Sequence, residues 1–135
     1  MFRAIVPILA ISLATPTLAQ SFRAPNDLRV APLADGSFEV IEGRGAGARA
    51  LWCAAADYAR KVLLEPDEGR LYVVAARGDS QSVAGRKAVT FGLTAQGAVP
   101  RQVFVVGLSA YHAGSNLSVG HARTFCTDAR LPGGL

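Results

Sequence analysis

The sequence predicts an α+β domain: an antiparallel sheet of about five strands carrying two helices on one face, in the order ββαβββα, stapled by one disulfide. Three observations carry this. Residues 51–64 hold the clearest helical period in the chain. Short alternating or apolar runs bounded by turn residues flank that segment. The only two cysteines, Cys53 and Cys126, fall one in each expected helix.

The chain opens with Arg3, an apolar run over residues 4–13 and a small-residue ending at Thr17-Leu18-Ala19. This pattern reads as a secretory signal peptide, residues 1–19, cleaved after Ala19. The run is too short for a comfortable membrane span, so no span is expected in the mature chain. Residues 20–135 then form one domain, with 20–27 and 129–135 as frayed ends.

Two short strands follow, Leu28–Leu33 and Ser37–Ile41, joined by Ala34-Asp35-Gly36; Asp-Gly between apolar runs is a hairpin signal. Pro32 places the first strand on an edge or shortens it. Gly43-Arg44-Gly45-Ala46-Gly47 is a loop feeding the central helix. It is not a dinucleotide fingerprint, because position 48 is Ala, nor a P-loop, because no Gly-Lys-Ser/Thr follows.

In the central helix Leu51, Ala55, Tyr58, Ala59 and Val62 recur at spacings of three and four and share a face. Glu65-Pro66 stops it, and Arg60-Lys61 suit its C-terminal dipole. Trp52 and Cys53 fall in its first turn. Next come a turn at Pro66–Gly69, an interior strand at Arg70–Ala76, and a polar surface loop at Arg77–Arg86. Strands at Ala88–Leu93 and Gln102–Leu108 would pair as an antiparallel hairpin. Residues 109–115 read as a loop. Ser115, Asn116 or Ser118 would cap a last helix running to Cys126 or Thr127.

The full chain has 14 Lys+Arg against 10 Asp+Glu, a formal net charge of +4. Twelve of those 14 basic residues are Arg, scattered without a basic run, which argues against nucleic-acid binding. In an exported chain a lone cysteine pair reads as a disulfide. The Cys53–Cys126 bridge would close a loop of about 74 residues, worth roughly 4 kcal/mol in the chain-entropy model.

Cys53 near a helix start also has an enzymatic reading. A helix dipole lowers a thiol pKa, and His121, His112 and Asp57 could complete a thiol hydrolase or redox site. A cysteine partner at Cys126 and a histidine placed in the last helix rather than on a strand weigh against it. Two histidines without ligand spacing make no metal site, and no cofactor motif is present. Arg77-Gly78-Asp79 reads as a charged turn, Asn116-Leu117-Ser118 as a helix cap rather than a glycosylation site, and Asp67-Glu68 as solvated turn acids.

The segments Trp52-Cys53-Ala54-Ala55-Ala56-Asp57-Tyr58-Ala59, Arg70-Leu71-Tyr72-Val73, Asn116-Leu117-Ser118-Val119-Gly120-His121-Ala122-Arg123 and Phe125-Cys126 resemble a family of small exported alphaproteobacterial proteins of unknown function. That resemblance covers most of the mature chain. It implies export and a two-cysteine pattern, and it carries no activity.

The expectation is therefore a small, monomeric, periplasmic or secreted protein, disulfide-stapled, with a binding or structural role in the cell envelope. Its partner would be an envelope protein or a small ligand. A candidate groove lies between the helices and the 77–87 loop, near Trp52, His121 and Arg123.

Overall fold

A computed structural model describes residues 21–43 and 45–130; the segment expected as a signal peptide, residues 1–19, and residues 131–135 lie outside the described residues. The order of elements is β1 (Phe22–Arg23), β2 (Arg29–Pro32), β3 (Phe38–Ile41), α1 (Ala48–Lys61), β4 (Arg70–Asp79), β5 (Lys87–Gly92), β6 (Arg101–Gln102), α2 (Val106–Ser109), β7 (Ser115–Ser118) and α3 (Val119–Thr124), ending in a 3₁₀ turn over Phe125–Arg130. The strands form one sheet in the order β1-β2-β3-β5-β4-β7-β6. Every pairing is antiparallel except β6 with β7, which is parallel. The α+β class and the disulfide are as the sequence predicts; the sheet is mixed and has seven strands rather than five.

The expected hairpin forms between β2 and β3. Gly36 adopts φ 87°, which glycine reaches without steric cost, and the Asp35 carboxylate accepts from Ser37 N at 3.0 Å. The first strand ends at Pro32, which has no N–H to continue the ladder. β1 is a correction: Phe22–Arg23, expected as frayed lead-in, pairs with Val30 and Arg29. Burial explains it, because the Phe22 ring packs edge-on to Tyr58 at 5.5 Å.

Helix α1 is enclosed on every side rather than along one stripe: all residues from Leu51 to Ala59 are buried. On one side it meets the sheet, where Trp52 lies edge-on to Phe91 at 5.0 Å and Tyr58 packs on Phe38 at 4.6 Å. On its other sides it meets α2, α3 and the 3₁₀ turn, and its alanines permit that close approach. The helix starts three residues before the expected position and ends at Lys61, where Leu64 takes a left-handed φ of 57° and Glu65 N donates to Ala59 O. Val62, expected on the buried face, is 48% exposed. Cys53 consequently lies in the second turn, not the first.

Strand β4 is interior, between β5 and β7, with Leu71 and Val73 in the core. It continues through Asp79, so Arg77-Gly78-Asp79 belongs to a strand end and not to a loop tip. Two register shifts let it keep pairing with β5. Ion pairs hold the extension: Arg77 to Glu42 and Lys87 to Asp79, each 2.6 Å. Loop 80–86 is fastened by a buried carboxylate: Glu39 accepts from Ser80 Oγ at 2.6 Å, Ser82 N at 2.8 Å and Gln81 N at 3.0 Å. Burial opposes its charge, but these hydrogen bonds outweigh that and hold its pKa below the usual range.

The C-terminal third departs most from expectation. β5 already has β3 and β4 on its two edges, so no hairpin with residues 102–108 can form. That run is a strand only at its start, then turns into α2. Ser115–Ser118, expected as loop and cap, is β7 and pairs with Arg70–Tyr72. Ser118 also caps α3 as expected, its hydroxyl accepting from His121 N at 3.1 Å. The last helix is thus shorter, beginning at Val119, and Cys126 lies in the 3₁₀ turn that follows it.

Candidate docking site

The sequence-derived thiol candidate is occupied. Cys53 and Cys126 are disulfide-bonded with Cα atoms 4.9 Å apart, and no free cysteine remains among the described residues. Both are buried. The bridge locks α1 to the 3₁₀ turn and leaves no thiolate for a nucleophilic step. His112 and His121 are exposed and lie on different elements: His121 on α3 with its ring 5.5 Å from Phe125, His112 in the loop before β7. Asp57 pairs with Lys61 one turn later at 3.0 Å.

Trp52 is fully buried, so the candidate groove does not form around it. Its indole Nε1 donates to Ser109 Oγ at 2.8 Å, and that hydroxyl donates to Val106 O at 2.6 Å. Arg123 is exposed on α3 and reaches Asp67 at 3.2 Å, while Arg60 of α1 reaches the same oxygen at 2.6 Å. Partial desolvation works against the Asp67 charge, but Arg123 and Arg60 outweigh it and keep its pKa below the usual carboxylate range. Asp67, expected as a solvated turn acid, is therefore the clasp between α1 and α3. Asn116 is equally engaged: its amide donates to Arg101 O at 3.1 Å and Gly114 O at 3.0 Å, pinning the short edge strand.

The feature that sequence reasoning missed is the surface between β5 and β7. Seven large hydrophobic residues are exposed among the described residues, and five of them, Val99, Phe104, Val105, Leu108 and Tyr111, fall within residues 99–111. Phe104 is 85% exposed. Phe104, Val105 and Leu108 line one pocket of about 170 Å³ together with Arg101 and Gln102 of β6, Ser109 of α2 and His112. The available signal was a run, Val103–Val106, apolar on both strand faces and broken by Gly107. A run apolar at every position needs cover on all sides, and among the described residues Phe104, Val105 and Leu108 are left uncovered.

The backbone beneath the pocket is fixed. Gly114 N donates to Val73 O at 2.7 Å, and Arg101 N donates to Gly114 O at 2.9 Å. Gly114 has φ 91°, and a Cβ there would meet Val99 O at 1.9 Å, so only glycine fits where this segment crosses the sheet. β6 is the last strand of the sheet, and its outer side is unpaired among the described residues. The Arg101 side chain makes no ion pair or hydrogen bond among the described residues. Among the described residues, the arrangement therefore combines an open strand edge, an apolar pocket and a cation without an ion pair.

Comparisons of the chain with protein-family models, with curated proteins and with solved structures found no match. Among the described residues, no three His, Cys, Asp or Glu side chains gather as metal ligands, and no helix is long and apolar enough to cross a membrane.

Proposed function

We propose that the protein is an exported, disulfide-stapled binding module that docks an extended segment of a partner protein against β6. The observation that carries this reading is the exposure of Phe104, Val105 and Leu108 around one pocket beside an open sheet edge. Exposed apolar clusters of this kind mark interaction sites in soluble proteins. Strand addition to a sheet edge obtains affinity from the backbone and specificity from side-chain pockets. The pocket, about 170 Å³, is well below the roughly 300–1,000 Å³ of small-molecule sites. That size favours one side chain of a polypeptide over a cofactor. Arg101 and a sequence pI near 9.6 favour an acidic residue next to the apolar anchor.

Export rests on the apolar run and small-residue ending before Gln20; the disulfide is compatible with an oxidising compartment. Mass spectrometry of the protein recovered from its native host would give an N-terminus at Gln20 if export and cleavage occur. An intact Met1 terminus in the cytoplasmic fraction would sink this part of the reading.

Docking is tested with synthetic ten-residue peptides alternating valine with glutamate, against the same design carrying lysine. The acidic peptide should bind saturably and slow amide exchange in residues 101–105, and Phe104→Ser or Arg101→Glu should abolish both effects. Equal binding of the lysine peptide, or no binding of either, would overturn it. So would a stable homodimer that Phe104→Ser dissociates, because the surface would then belong to a second copy.

A further inference from the structure

The other end of the sheet carries a pocket of opposite chemistry. Arg23 of β1 and Arg29 of β2 are direct partners across the antiparallel ladder, where facing like charges destabilise the pairing. Arg86, from the loop before β5, joins them around a pocket of about 160 Å³ with Leu28, Ile41, Gly43 and Val83. Asp27 is the single acid in the lining. Among the described residues no guanidinium approaches its carboxylate within ion-pair distance; Arg23 Nη1 instead donates to the Asp27 backbone oxygen, at 3.4 Å. Arg86 Nη2 donates to Glu42 O at 2.7 Å, which fixes that guanidinium at the rim. The Arg29 side chain makes no hydrogen bond or ion pair among the described residues.

Three arginines, each with five N–H donors, therefore line one pocket with almost all of those donors unused among the described residues. Against one carboxylate they leave a formal charge of +2 in the pocket. We infer that this pocket binds a phosphate monoester. The dianion matches the excess charge and relieves the Arg23–Arg29 opposition. Guanidinium forks suit its tetrahedral oxygens, which accept bidentate pairs. Half-buried Val83, backed by the buried Leu28 and Ile41, gives the ester's carbon portion one apolar contact, which inorganic phosphate would not use.

Phenyl phosphate titrated into ¹⁵N-labelled protein tests this. Saturable shifts of the Arg23, Arg29 and Arg86 Nε–H signals and of the Gly43 amide are expected. Arg29→Gln and Arg86→Gln should each weaken binding about tenfold or more, the loss of a charged hydrogen bond, while Arg70→Gln, at the start of β4 beside β7, leaves it unchanged. Arg29 is exposed and otherwise uncommitted, so its variant folds even if the Arg86 variant loosens its loop. Three results overturn the assignment: shifts reproduced by chloride at equal ionic strength, benzoate binding as tightly as phenyl phosphate, or inorganic phosphate doing so.

Discussion

The Trp52 indole nitrogen donates to the Ser109 hydroxyl across 2.8 Å in the interior, joining the centre of α1 to the end of α2. Ser109 also lines the apolar pocket, so a fully buried aromatic ring holds one wall of the most exposed apolar surface among the described residues. Ser109→Ala leaves the indole N–H without its acceptor. The expected cost is about 1–3 kcal/mol, read from urea unfolding. Amide exchange in residues 105–112 should speed up more than in β3 or β5. Uniform acceleration across the sheet would show that the contact serves general stability and not the pocket.

Replacing the cysteine pair, Cys53→Ala with Cys126→Ala, removes the cross-link between residues 73 apart in sequence. A loss of roughly 2–5 kcal/mol is expected. Reductant should produce the same shift in the wild type and none in the double variant. Because both sulfurs are buried, wild-type reduction should require prior unfolding or strong reductant.

The Glu39 carboxyl titrates lower in the folded chain than its ordinary value of 4.5. The unfolded chain therefore takes up the proton first. The stabilisation is fully present above that ordinary value and fades as pH falls through the folded pKa. Glu39→Gln should flatten this acid limb. At neutral pH it should cost about 1–3 kcal/mol, because the Gln81 and Ser82 amides lose a charged acceptor. Thermal melts from pH 7 to pH 3 check both, and an unchanged acid limb would assign the pH response to another carboxyl.

Leu64 sits at φ 57° and is 80% exposed. A left-handed residue with a branched side chain stores strain that glycine does not, and little apolar burial would be lost. Leu64→Gly should stabilise the protein by about 0.5 kcal/mol, the left-handed penalty less glycine's greater unfolded-state entropy. A measured destabilisation above 0.5 kcal/mol would mean that Leu64 holds a contact outside the described surface.

The central helix is legible in the sequence because Leu51, Ala55, Tyr58 and Ala59 repeat at helical spacing, and the hairpin because Asp35-Gly36 names its turn. The cysteine pair is legible because the chain holds only two cysteines, which leaves one possible pairing. What local pattern does not reveal is who pairs with whom. Ser115-Asn116-Leu117-Ser118 looks like a cap because its serines are polar; it becomes β7 because β4 has an edge to fill. Val103–Leu108 looks like a core strand because it is apolar. Its sheet positions are already taken by β3 and β4, and tertiary competition turns it outward. The Arg23–Arg29 pocket is invisible for the same reason, since residues 22–23 show no strand pattern until Tyr58 provides something to pack against.

The strand order has a consequence in time. Leu71 and Leu117 are neighbours in the finished sheet, yet a ribosome adding about 5–20 residues per second reaches the second some seconds after the first. Through that interval β4 has one edge unfilled and the partner of Cys53 does not yet exist. The nascent chain is thus an incomplete sheet until its last turn is made. Folding is gated by the arrival of residues 115–126, and non-local closure of this kind is slow compared with helix formation. A chain truncated before Ser115 should remain unfolded and extended, the form in which a polypeptide can still be threaded through a narrow channel.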